Sequence, residues 1–169
     1  MSVQLRNLRG EFGSLISFVD RLFTGGHMIK HTMEQWNRVL RGEIEIDDVL
    51  HDDCVFWSPV LFHPQVGREL TKLYLSAASV VFPGDDKSEN SESEKSSSFR
   101  YTKQVLDGNH AVLEFETMID GLTVNGVDII SCDDDGLITE FKVMIRPQKA
   151  VEKAREQMMS VLEQINPDS

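Results

Sequence analysis

Apolar residues recur at two different spacings along this chain, and the change of spacing divides it. In the first half the period is helical. Ile29, Met33, Trp36 and Leu40 fall three or four apart, and Gly42 stands where a glycine can close the helix. A short second helix is expected over 46–50. Cys54-Val55-Phe56-Trp57 is a brief extended run stopped by Ser58-Pro59. A third helix is predicted after Gly67, with Leu70, Leu73, Tyr74, Ala77 and Val81 on one face. In the second half the period shortens to two. Residues 99–106, 110–119, 122–132 and 137–145 are β-rich runs, punctuated by Asp107-Gly108, Asp120-Gly121 and Asp135-Gly136. This pattern predicts a four-stranded antiparallel meander. Asn125-Gly126 falls inside the third run, where a bulge or bend would help curl the sheet. A final amphipathic helix carries Val151, Ala154, Met158, Val161 and Ile165.

Two segments stand outside this pattern. Residues 1–27 hold apolar positions at helical spacing, but Gly10 and Gly13 interrupt them and Gly25-Gly26 ends them. Arg6, Arg9 and Arg21 would suit a transit peptide, whereas Glu11 and Asp20 would not. The segment is read as an N-terminal extension to a domain over 28–165, with Met28 an alternative start. Residues 84–98 are acidic and serine-rich with nothing to bury, so a disordered surface loop is expected there.

Hairpin turns set register, so facing residues follow from them. With Asp120-Gly121 as a two-residue loop, Ile119 faces Leu122 and Leu113 faces Asp128. With Asp135-Gly136 treated likewise, Asp134 faces Leu137 and Asp128 faces Val143. Opposed residues share a face. One face then carries Leu113, Phe115, Val124, Asp128, Ile130, Phe141, Val143 and Ile145. The other carries Glu114, Glu116, Asn125, Glu140, Lys142, Met144 and Arg146. An odd-length loop would exchange the faces, and the clean separation of apolar from charged residues favours the even one.

Asp128 is the lone charge on the apolar face, and an unpaired buried carboxylate is costly. Two readings stand. It is a pocket acid kept neutral by burial and able to donate a hydrogen bond, or a structural Asp tied to a backbone N–H, a helix start or an Arg. Phe115 and Phe141 share its face and are candidate ligand contacts. Trp36 and Trp57 are candidate wall residues as well as ordinary core. His63, before Pro64, is a weaker candidate in a loop. His27 and His31 lack the intervening Glu of a metalloprotease helix, and Asp133-Asp134-Asp135-Gly136 lacks calcium-loop spacing. Neither a phosphate loop nor a nucleophile elbow is found, and no metal or cofactor is expected.

Charge narrows the partners. Twenty-eight acidic against seventeen basic residues give a formal net charge of -11. That field repels nucleic acid and anionic membrane surfaces alike. The two cysteines, Cys54 and Cys132, form no C-x-x-C motif. They are expected to be reduced, part-buried thiols in a cytoplasmic protein. No apolar run approaches a membrane span.

The order of these elements, with motifs at Asp53–Val60, Val124–Ile130 and Glu140–Pro147, resembles the nuclear transport factor 2-like superfamily. That superfamily includes ketosteroid isomerase-like and SnoaL-like polyketide cyclase-like proteins, and the resemblance spans roughly Met33 to Met159. It implies an α+β fold, in which a cone-shaped curved antiparallel sheet wraps about three helices to enclose an apolar pocket, with a C-terminal helix besides. It also implies a homodimer. Ketosteroid isomerase-like members use an Asp base before a Pro-Val, a Tyr on the first helix and a protonated Asp on a late strand. Those positions fall here on Ser58, near Trp36 and on Asp128. A Ser without a visible general base cannot shuttle a proton at neutral pH, so steroid isomerisation in that form is disfavoured. The function expected is that of a small-molecule pocket protein for an apolar or part-polar ligand, its activity unassigned. If it is an enzyme, it is an isomerase, cyclase or hydratase using acid–base chemistry without a cofactor. The alternative is a non-catalytic protein-interaction or dimerisation domain with a vestigial pocket.

Overall fold

The structure, a computed structural model, describes residues 28–82 and 99–165. The expected extension over 1–27 and the acidic serine-rich loop over 84–98 lie outside the described residues. Helix α1, Met28–Leu40, buries Ile29, Met33 and Trp36 together with Thr32. Gly42, at φ +66°, closes it. The Gly42 N–H reaches Val39 O and the Glu43 N–H reaches Arg38 O, both at 2.9 Å, so two carbonyls of the last turn find donors. Leu40, at the end of the predicted stripe, is exposed.

The predicted short second helix is a single 3-10 turn, Ile46–Asp48, and Leu50 already belongs to a strand. Strand β1, Leu50–Trp57, is twice as long as the brief run expected, since four further residues precede Cys54. A two-residue strand, β2 (Gln65–Val66), pairs antiparallel with it. Helix α2, Arg68–Val81, buries Thr71, Leu75, Ala77 and Val81. Its buried face is rotated from the predicted one, and Leu70 faces solvent. Thr71 can be buried because its hydroxyl donates to Cys54 O at 3.2 Å.

The meander follows as β3 (Arg100–Asp107), β4 (His110–Ile119), β5 (Leu122–Cys132) and β6 (Ile138–Arg146), and helix α3 (Gln148–Ile165) ends the described chain. Helix α3 buries Ala150, Ala154 and Met158, while Ile165 at its end is exposed. The six strands form one sheet in the order β2-β1-β6-β5-β4-β3. It is mixed rather than wholly antiparallel, because β1 lies parallel to β6. The β6 edge of the meander needs a partner, and the run after the 3-10 turn supplies it.

The register of β4, β5 and β6 is the one the hairpins predict. Leu113 faces Asp128, and Asp128 faces Val143. At the first turn Asp120 and Gly121 both have positive φ, as a type I′ hairpin requires. The second turn differs from expectation. The Asp133 N–H bonds Leu137 O at 3.0 Å, and Cys132 faces Ile138, so the loop holds three residues rather than two. An irregularity between Ser131 and Cys132 then restores the even register, leaving Ser131 opposite Glu140. The odd loop and the bulge cancel. Nor does Gly126 carry a bulge, for the ladders on both sides run straight through it. Its role is space: a Cβ there would lie 2.2 Å from Phe115 Cζ and 2.8 Å from Met144 O.

Candidate functional site

The inner face of the sheet, against which the helices pack, carries Leu113, Phe115, Val124, Ile130 and Phe141, each at most 2% exposed. Asp128 lies among them and keeps 5% of its surface. Among the described residues its partner is neither an Arg nor a backbone N–H but the Tyr101 hydroxyl, which donates to Oδ2 at 2.7 Å. Tyr101 in turn accepts the Trp36 indole N–H at 3.0 Å. Three elements thus meet at one carboxyl group: α1 through Trp36, β3 through Tyr101 and β5 through Asp128.

Aromatic rings surround this chain of hydrogen bonds. Trp36 packs on Phe141 at 5.0 Å between centroids, and Phe141 on Phe56 at 6.3 Å. On the other side Phe99 meets Tyr101 edge-on at 5.1 Å and Phe115 at 4.9 Å. The Phe115 ring occupies the room left by Gly126. In such surroundings the charged form of a carboxyl group is poorly solvated. Burial pushes Asp128 from 3.8 up to about 7, against the opposing pull of the Tyr101 hydrogen bond. Burial, with the adjacent Asp128 charge, also holds the Tyr101 phenol well above its usual value. The Asp128 carboxyl can therefore exist as a neutral acid near neutrality and act as a hydrogen-bond or proton donor.

The other sequence candidates divide by face. Trp36, Phe115 and Phe141 join Asp128 on the inner side. Ser58 is 8% exposed just beyond β1, and its Oγ accepts the Val60 N–H at 3.2 Å. Extending the β1–β6 register by one residue sets it opposite Val143, two strand spacings (~10 Å) from Asp128. Trp57 lies on the other face. It pairs with Lys142, whose ammonium sits 5.1 Å above its ring. A strand alternates faces, and Phe56 takes the inward place. His63 is exposed in the loop after β1, edge-on to Phe62, and takes no part in the bonds at Asp128.

Tyr101 is absent from the sequence candidates. Continuing the β3–β4 pairing from Asp107 opposite His110 would set it opposite Glu116 on the outer face. An irregularity between Tyr101 and Lys103 shifts the strand, so that Tyr101 faces Phe115 and turns inward. The available signal was a lone aromatic between Arg100 and Lys103, in the polar first half of β3. Both cysteines are buried and free. Burial raises Cys54 to about 11 and Cys132 above its ordinary value, so neither offers a thiolate at neutral pH. Among the described residues no three His, Cys, Asp or Glu side chains are arranged to hold a metal ion, and no helix is long and apolar enough to cross a membrane.

No family model matches the sequence, and no curated protein matches it. Solved structures do. A steroid delta-isomerase from Pseudomonas aeruginosa superposes with a TM-score of 0.71 at 28% identity, over 83% of this chain and 96% of that one. A protein with a cystatin-like fold from Silicibacter pomeroyi gives 0.64 at 28% identity, over 82% and 88%. A nuclear transport factor 2-like protein from Mesorhizobium loti gives 0.57 at 20% identity, over 72% and 93%, a likeness of fold alone. A curved sheet of this strand order, backed by three helices and matched over most of its length by these structures, defines the class. The chain has an α+β fold of the nuclear transport factor 2-like kind, similar to solved structures that include a steroid delta-isomerase.

Proposed function

We propose that the inner face holds a small, largely apolar ligand whose polar end meets Asp128. The observation that carries this reading is the buried carboxyl group itself. It shares the inner face with Phe115 and Phe141, is bonded at one oxygen by Tyr101, whose ring meets Phe99 and whose hydroxyl accepts from Trp36, and is pushed by burial to about 7. A scaffold Asp is better stabilised by an Arg or by backbone donors, which keep it ionised. A neutral acid in an aromatic wall suits a ligand with a flat ring system and an accepting oxygen. Likeness to a steroid delta-isomerase supports a fused-ring ketone as the ligand class. Ser58 offers a hydroxyl, which accepts the Val60 N–H, in place of a carboxylate base, so the proposal does not extend to isomerisation through a base at that position. The site polarises a bound oxygen. Chemistry beyond that, of the isomerase, cyclase or hydratase kind, needs a second acid–base group brought by the ligand or by water. Two buried free thiols support a reducing compartment, the cytoplasm.

The outer face supports a second reading that coexists with the first, a homodimer. Val105, Val112 and Met144 are exposed there among charged residues. Arg146 Nε donates to Asn125 Oδ1 at 2.7 Å, and Arg100 pairs with Glu116 at 2.8 Å. Such a surface, apolar with charges of both signs in rows, is complementary to a copy of itself across a two-fold.

Titration of a 3-keto steroid into the protein, followed by the fluorescence of Trp36, tests the ligand reading. Saturable binding that Asp128→Leu weakens at least tenfold is expected. Binding of equal strength by the variant would place the ligand elsewhere and reject it.

A further inference from the structure

The hydrogen bonds at Asp128 have a direction, and one residue sets it. An indole N–H donates and cannot accept, whereas a phenol has one proton and can do both. Trp36 Nε1 lies 3.0 Å from the Tyr101 oxygen and must be the donor there. The phenol's single proton then goes to its other neighbour, Asp128 Oδ2, at 2.7 Å. Were Oδ2 itself protonated, the Tyr101 oxygen would receive two donors and its own proton would lose Oδ2 as its acceptor. An orphaned buried donor is unfavourable, so that arrangement loses. The acid proton of neutral Asp128 is left for Oδ1.

We propose that Trp36 is a positioning residue: by fixing the Tyr101 proton on Oδ2 it makes neutral Asp128 present Oδ1–H, a donor, to the ligand. Specificity follows. The site selects a ligand that offers an accepting oxygen, such as a ketone, over a hydrocarbon of the same shape. Without the indole, Tyr101 is free to turn and accept a proton from Oδ2. The neutral acid would then satisfy itself within the protein and no longer favour an acceptor. Tyr101 is the ionisable group bonded to Asp128. Leu113 on β4 and Val143 on β6, which flank it in the sheet, carry no charge.

This inference rests on the ligand reading proposed above, and its test separates the two. The probes are 1-tetralone and tetralin, ring-matched with and without a carbonyl, at pH 5.5, below the raised Asp128 value of about 7. Their dissociation constants are compared in the wild type and in Trp36→Phe, which keeps a ring against Phe141. The wild type is expected to prefer the ketone by about tenfold, the worth of one good hydrogen bond. Trp36→Phe is expected to cut that preference to about twofold and to move the Asp128 carboxyl titration upward in carbon-13 NMR. No ketone preference in the wild type would overturn the ligand reading. A wild-type preference that Trp36→Phe leaves intact, with an unmoved titration, would overturn the role of Trp36 alone. Should the variant not fold, the wild-type indole N–H resonance of Trp36 decides. It shifts with the Asp128 midpoint if the three groups are linked, and a signal flat across that titration overturns the inference.

Discussion

Replacing Asp128 by Asn separates a buried neutral acid from a structural carboxylate by the sign of its effect. The substitution keeps the shape and removes the ionisation. In the folded protein the group sits at about 7 against 3.8 for the exposed side chain. The raised folded value means that the acid's contribution to stability is full below pH 3.8, where both states are protonated. It is lost as pH rises, because the unfolded chain ionises first, and the loss is complete once pH passes the folded value near 7. Three units at about 1.4 kcal/mol each set a ceiling of about 4 kcal/mol for that loss. An amide in its place has no such dependence, and its oxygen can still accept from Tyr101. Urea denaturation is therefore expected to find Asp128→Asn more stable than wild type by up to about 1.6 kcal/mol at pH 5, where the unfolded Asp is already ionised, and by about 2–4 kcal/mol at pH 8. A variant clearly less stable at pH 8 would refute the reasoning, since it would mean that the folded protein favours the anion.

Three further outcomes follow from the same geometry. Gly126→Ala drives a Cβ into Phe115 and the Met144 carbonyl, so a loss of about 2–3 kcal/mol is expected by denaturation, with Phe115→Leu in the same chain restoring part of it. Tyr101→Phe removes the donor that favours the anion, so the Asp128 titration should move above its present value of about 7 in carbon-13 NMR; a downward shift would contradict the bond. Sedimentation at micromolar concentration should show a species of twice the 19.2 kDa chain mass, and Met144→Glu on the outer face should halve it, whereas a wild-type monomer would reject the dimer.

The sheet was legible because hairpin turns and alternation act over short distances. Asp120-Gly121 fixes Ile119 opposite Leu122, and every pair on that ladder follows, including Asp128 with Leu113. Where the chain departs from alternation the reading failed or survived by cancellation. The turn at Asp134–Gly136 is odd, and only the irregularity beside Ser131 keeps Asp128 opposite Val143. The shift in β3 had no such compensation, so Tyr101 went unrecognised as the partner of Asp128. A bulge is decided by what the shifted side chain gains, here a buried acceptor from a distant strand, and local sequence carries no record of that. The parallel pairing of β1 with β6 was equally non-local. Trp57 was placed with Trp36 by composition, since aromatic residues look alike in sequence; parity along β1, set by inward Phe56, sends it to the opposite face.

Asp128 is proposed to be a neutral acid that keeps its proton and donates a hydrogen bond to a ligand oxygen. Carbon-13 NMR of the Asp128 carboxyl carbon, titrated with and without a saturating 3-keto steroid, tests it most directly. The account predicts a free midpoint near 7 that rises when the steroid binds, because an accepting oxygen stabilises the protonated form. A free midpoint below about 4.5, or one that bound steroid leaves in place, would contradict it.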